Sequence, residues 1–118
     1  MSLDITREIE WNTLVLDKNL VAADFWAPWC PYCMRLKPIF ESIASRFPEI
    51  RFVKINVEEQ QELASRYGIR GIPVIKFFCE EKEVGEIVGY LPQVELEKKV
   101  IEIGNGAHAC LANTSLMR

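Results

Sequence analysis

An apolar run from Leu20 to Trp26 gives way, across Ala27, Pro28 and Trp29, to a helical pattern that begins at Pro31, and two cysteines, Cys30 and Cys33, sit on that junction. The run carries one charge, Asp24, and otherwise has the unbroken apolar character of a central strand covered on both faces. Proline suits the first helical position because its fixed φ matches a helix and its missing N–H would have no partner there. Cys30 then falls at the N-cap, where orphan backbone N–H groups and the positive end of the helix dipole favour a thiolate over a thiol. Cys33, three residues on, lies on the same helical face and within reach of a disulfide. A Cys-x-x-Cys pair after a buried strand and at the mouth of a helix reads as a redox pair, in which one exposed, acidified sulfur attacks and a second resolves.

The rest of the chain supports one α/β domain. Its 118 residues can build a single core but not two. A formal charge of -3 leaves no basic surplus to neutralise phosphates, so neither nucleic acid nor an anionic membrane is an expected partner. The segment from Met1 to Ile5 has neither a charged n-region nor an apolar h-region, which reads as no leader and no spanning helix and points to a reducing, cytoplasmic setting. Four cysteines are too few for a disulfide scaffold, and only Cys30 and Cys33 are spaced as a pair.

Periodicity places the elements. A short helix is expected from Thr6 to Leu16 with Thr6 as its N-cap, preceded by a stubby edge strand between Leu3 and Ile5. Cys33, Leu36, Phe40, Ile43 and Phe47 follow amphipathic helical spacing, and the interior Pro38 predicts a kink near Met34 to Pro38. Phe52 to Val57, which carries Lys54, reads as a strand, and Glu58 to Tyr67 as a helix closed by Gly68. Strands separated by helices of this length imply βαβ units with parallel pairing. Gly71-Ile72-Pro73 then breaks the chain before a strand at Val74 to Cys79; Glu80, Glu81 and Lys82 supply a polar turn, and Glu83 to Val88 returns antiparallel. A last helix opens at Pro92 and ends at Gly104-Asn105-Gly106. The domain is thus 1–106, and Ala107 to Arg118, without periodicity, reads as a flexible tail.

Five pieces of the sequence then fall into one register: Asp24-Phe25-Trp26-Ala27-Pro28-Trp29-Cys30; Cys33 with Pro38; Lys54; Tyr67-Gly68-Ile69-Arg70-Gly71-Ile72-Pro73; and Gly89. From about Thr6 to Ile103 the chain resembles the thioredoxin family on these residues. The resemblance implies a thioredoxin fold, a central mixed β-sheet of four to five strands flanked by helices on both faces, with a cis-proline loop at Pro73 beside the dithiol. It also implies a monomeric protein disulfide reductase that needs no cofactor, acts on protein disulfides and is recharged by a thioredoxin reductase or similar donor. The chain departs from the family between the sulfurs, where Pro31-Tyr32 is the pair familiar from glutaredoxins and suggests a glutathione-linked or disulfide-forming alternative.

Cys30 is the expected nucleophile, with a pKa below the free value of about 8.5, and Cys33 the resolving thiol. Cys33 needs a proton acceptor, and Asp24, desolvated on the strand below, is the candidate base; Lys54, beside it if the resemblance holds, would oppose the rise in its pKa. The competing reading of Asp24 is a surface-edge carboxylate. Trp29 is expected to be partly exposed, Trp26 already filling the core, and to form with Ile72 and Gly89 an apolar rim for partner proteins. Ile72, next to Pro73, would offer its N–H and C=O to an extended substrate segment. Pro31 and Tyr32 complete the rim, and the Tyr32 hydroxyl is expected to donate to the thiolate and make the pair more oxidising. Cys79 alternates inward with Ile75 and Phe77. A metal half-site is the rival reading of the cysteine pair, but zinc takes four ligands, and His108 and Cys110 do not form a second knuckle. A binding module in which the dithiol is incidental is the remaining alternative.

Overall fold

The computed structural model describes residues 2–106, and the expectations for the segment 107–118, including His108 and Cys110, lie outside the described residues. The elements are β1 (Leu3–Asp4), α1 (Glu8–Leu14), β2 (Val21–Trp26), α2 (Pro31–Arg46), β3 (Arg51–Asn56), α3 (Gln61–Arg66), β4 (Val74–Cys79), β5 (Lys82–Val88) and α4 (Gln93–Gly106). They build one five-stranded sheet in the order β1-β3-β2-β4-β5. β1, β3 and β2 run parallel, whereas β4 is antiparallel to both β2 and β5.

Alternation along β2 divides the core in two. Val21, Ala23 and Phe25 pack with Trp11 and Val15 near α1 and with Leu63 of α3. On the other face Ala22 packs with Leu36, Phe40 and Ile43 of α2 and with Leu96 and Val100 of α4. Successive strand residues point to opposite faces, so Asp24 belongs to the α2 side of the sheet. The fully buried tryptophan is Trp11, not Trp26, which is only half-buried. The Trp11 indole N–H donates to the Tyr67 hydroxyl at 2.9 Å, which ties α1 to the end of α3.

Several boundaries differ from expectation, each for a local reason. The N-cap of α1 is Arg7 rather than Thr6, because Glu10 folds back and accepts from the backbone N–H of both Thr6 and Arg7. α3 starts later than Glu58 because the Asn56 side chain accepts from the Glu58 N–H at 2.9 Å and makes a turn there. The passage from β3 to β4 is not a parallel crossover. β2 runs parallel to β3 but antiparallel to β4. β4 therefore starts from the end of the sheet where β3 stops. Lys82 joins β5, leaving Glu80 and Glu81 as the turn, both with positive φ. That left-handed pair is secured by the Glu81 N–H donating to the Val15 carbonyl at 2.9 Å. α4 runs on through Gly104, which is buried, because a glycine costs a helix only about 1 kcal/mol. α2 likewise continues through Pro38.

A buried cation, Lys76, was not anticipated. It lies on β4 opposite Glu86, and its ammonium donates to Glu83 at 2.8 Å and to Glu86 at 2.7 Å.

Candidate active site

Cys30 caps α2 with an extended backbone, φ -92° and ψ 110°, and Pro31 occupies the first helical position. The N–H of Cys33 points back at the Cys30 sulfur at 3.2 Å. The two cysteines are joined as a disulfide, with Cα atoms 5.2 Å apart. Cys30 is not an exposed sulfur but is 5% accessible, and Cys33 is 2% accessible. The residues that stand out around them are Pro28, Trp29, Pro31 and Tyr32. A reacting partner therefore meets the rim before it meets sulfur.

The covering loop comes from the other side of the sheet. The Ile72–Pro73 bond is cis, and the Ile72 carbonyl oxygen lies 3.8 Å from the Cys30 sulfur. The Pro73 carbonyl accepts from the Gly89 N–H at 2.8 Å, which fixes the loop against the end of β5. Gly89 holds a φ of 89°, a left-handed conformation that a side chain would strain. Ile72 thus lies beside the Cys30 sulfur, and Pro73 and Gly89 are joined in the same loop cluster.

On the α2 face of the sheet, Asp24 and Lys54 occupy paired positions of β2 and β3. Asp24 is 2% exposed, which excludes the surface-edge reading, and its Oδ1 has no hydrogen-bond partner among the described residues. Burial pushes its carboxyl up to about 7 against the pull of Lys54, and the charge of Glu41 adds to the rise. Lys54 does not close on Asp24. Its ammonium pairs with Asp4 at 3.8 Å and sits 5.1 Å from the centre of the Trp26 ring. Glu41, on α2, is fastened by the backbone N–H and the hydroxyl of Ser2.

The rim itself departs from expectation. Trp29 is 63% exposed, as anticipated, but its indole N–H donates to Glu58 at 2.5 Å and it does not line the depression at the cis-proline. That depression, of about 320 Å³, is lined by Tyr32, Ile72, Pro73, Gly89 and Tyr90. Tyr32 turns its ring toward Tyr90, with centres 6.2 Å apart, and makes no hydrogen bond to Cys30 among the described residues. Tyr90 was missed in the sequence; its position next to Gly89 was the available signal.

The thioredoxin family model matches residues 2–102 of this chain. The chain belongs to the thioredoxin family. It is 37% identical to the thioredoxin of Mycoplasmoides gallisepticum over 80% of this chain and 94% of that protein. To the chloroplastic thioredoxin M4 of Arabidopsis thaliana it is 39% identical over 77% of this chain, and it spans about half (48%) of that longer protein. Among solved structures, a mutant thioredoxin from Halobacterium salinarum superposes with a TM-score of 0.78 at 33% identity, covering 86% of this chain and 89% of that one. The five-stranded mixed sheet with helices on both faces is accordingly the thioredoxin fold. With Pro31 and Tyr32 between the sulfurs, Cys30 caps α2 and Pro31 opens it.

Proposed function

We propose that this chain is a thiol–disulfide oxidoreductase that reduces disulfides of proteins, with Cys30 as nucleophile and Cys33 as resolving thiol. The observation that carries the reading is the Cys30–Cys33 disulfide on the cap of α2, 3.8 Å from the carbonyl oxygen of the cis-proline loop. Starting from the dithiol, the Cys30 thiolate attacks one sulfur of the substrate disulfide; a mixed disulfide forms and the other substrate sulfur leaves as a thiolate that takes up a proton. Cys33 then loses its proton to the Asp24 carboxylate and attacks the Cys30 sulfur. The internal disulfide closes, and the second substrate thiolate leaves and is protonated from Asp24. Two electrons and two protons have moved to the substrate, and a reductase of the thioredoxin-reductase kind returns them.

The remaining residues take positioning roles. Lys54 keeps the Asp24 pKa from rising further, as its charge does in the oxidised state. Trp29, Pro31 and Tyr32 form the rim that partner proteins meet, while Ile72 offers backbone groups to an extended segment and Pro73 and Gly89 hold that loop. The protein acts as a monomer without a cofactor, on neither nucleic acid nor membrane. Among the described residues no helix is long and apolar enough to cross a membrane. A chain that works as a reductant suits a reducing compartment, and we place it in the cytoplasm.

The test uses a disulfide-bonded protein substrate. Cys30→Ser abolishes reduction, and Cys33→Ser accumulates a mixed disulfide through Cys30; a mixed disulfide through Cys79 overturns the assignment. Recharging by a thioredoxin reductase and not by glutathione supports the donor named here. The reverse result favours the glutathione-linked reading suggested by Pro31-Tyr32, and binding that persists unchanged without either cysteine favours a binding module.

A further inference from the structure

Arg35 is exposed near the start of α2, and its guanidinium carbon stands 5.5 Å from the ring centre of Tyr32 and 6.0 Å from that of Tyr90. The two rings in turn lie 6.2 Å apart. Cation–π contact with both rings restrains the guanidinium without neutralising it, and leaves its N–H groups available to a carboxylate. Among the described residues Arg35 has no ion pair and no hydrogen bond from its side chain, in contrast to Arg46, Arg51 and Arg66, each of which meets a carboxylate. Tyr32 and Tyr90 also line the depression at Pro73. A fixed, unneutralised positive charge therefore borders the place where a partner's chain lies against the cis-proline loop, on a protein whose formal net charge is -3.

We propose that Arg35, presented by Tyr32 and Tyr90, is a specificity residue that selects protein disulfides with an acidic side chain beside the cysteine under attack. The proposal rests on the reductase reading and adds to it the kind of substrate preferred. An extended segment advances about 3.3 Å per residue, so a carboxylate one or two positions from the reacting cysteine comes within reach of the guanidinium while the cysteine faces Cys30. Near the surface such an attraction changes a rate by about fivefold, and screening by salt reduces it. Trp29 sets the opposite preference on its own part of the rim, since its indole holds the acidic Glu58.

The experiment compares two disulfide-bonded peptides of the same length, one with Glu and one with Lys on both sides of the cysteine, with the wild-type chain and Arg35→Glu. The wild type reduces the Glu peptide with a kcat/KM about tenfold above the Lys peptide at low salt, and the ratio falls toward one at high salt. Arg35→Glu inverts the ratio with unchanged thermal stability, because Arg35 is exposed. Tyr90→Leu, which removes one of the two supporting rings, gives an intermediate ratio. A ratio that Arg35→Glu leaves unchanged overturns the proposal while the reductase reading stands. So does a loss confined to glutathione disulfide, which would make Arg35 a site for that small thiol. If the wild type reduces neither peptide, the reductase reading falls and takes this proposal with it.

Discussion

Asp24 and Lys54 are paired neighbours on two parallel strands, both shut off from solvent, yet the lysine makes its ion pair with Asp4 instead. The carboxyl is left to burial, which brings it to about 7, and the lysine acts on it as a nearby charge. Such a carboxyl is half ionised near neutral pH, where a general base is most useful.

The resolving step should therefore quicken as pH rises through about 7, because the ionised form of Asp24 accepts the Cys33 proton. Asp24→Asn is expected to remove this inflection and slow the step by about a hundredfold. Lys54→Met removes the charge that lowers the Asp24 pKa and should move the inflection to higher pH. Single-turnover rates across neutral pH measure all three. An inflection that survives in Asp24→Asn would assign the base elsewhere.

The same carboxyl should cost stability. Its folded-state pKa lies above the ordinary 3.8, so the folded chain holds a proton that the unfolded chain has already released. Stability accordingly falls as pH rises from about 4 to about 7 and levels off above that. The gap corresponds to about 4 kcal/mol at about 1.4 kcal/mol per pH unit. Asp24→Ala is expected to flatten this slope and to raise the unfolding free energy above pH 7 by about 2 to 4 kcal/mol, read from denaturant midpoints on either side of neutrality.

Gly89 and Gly71 offer a matched comparison, since an added Cβ meets no atom within 4 Å at either position. Only Gly89 has a left-handed φ. Gly89→Ala should cost about 1 to 2 kcal/mol and loosen the hold on Pro73, raising KM for protein substrates. Gly71→Ala should leave the thermal midpoint where it is. Equal effects would show that backbone conformation is not what Gly89 contributes.

Lys76 tests the far side of the sheet. Burial works against its charge, but its bonds to Glu83 and Glu86 overcome that and raise its pKa. Lys76→Met keeps the aliphatic stem and removes the ammonium, leaving two carboxylates without their shared cation. We expect a loss of about 1 to 2 kcal/mol in chemical denaturation with disulfide reduction unchanged.

The parts of this structure legible in the sequence are those set by local rules. β4 is an apolar run broken by Lys76 and stopped by a polar turn, and its bounds agree to the residue. The start of α2 follows from Cys30 and Pro31, because a cap and a proline at the first position admit few alternatives. What was missed depends on contacts across the fold. The direction of β4 shows in its pairing with β2 and β5, and the turn at Glu80 and Glu81 depends on a carbonyl of Val15. The charge of Lys76 on the interior of β4 is tolerated only because β5 brings Glu83 and Glu86 to it. At the site, the sulfurs, Asp24 and Pro73 were readable from their spacing and from the family pattern. Tyr90 and Arg35 were not, since their significance appears only when the end of β5 and the first turns of α2 meet beside Tyr32.

The cap of α2 should make the Cys30 sulfur an anion at neutral pH. The most direct measure is the alkylation rate of Cys30 in the reduced protein as a function of pH, each product located by mass spectrometry, beside an unstructured cysteine peptide. The expected result is a midpoint below the free value of about 8.5 and faster modification than the peptide at neutral pH, with Cys33 protected. A midpoint at or above the peptide's, or modification falling first on Cys33, would contradict it.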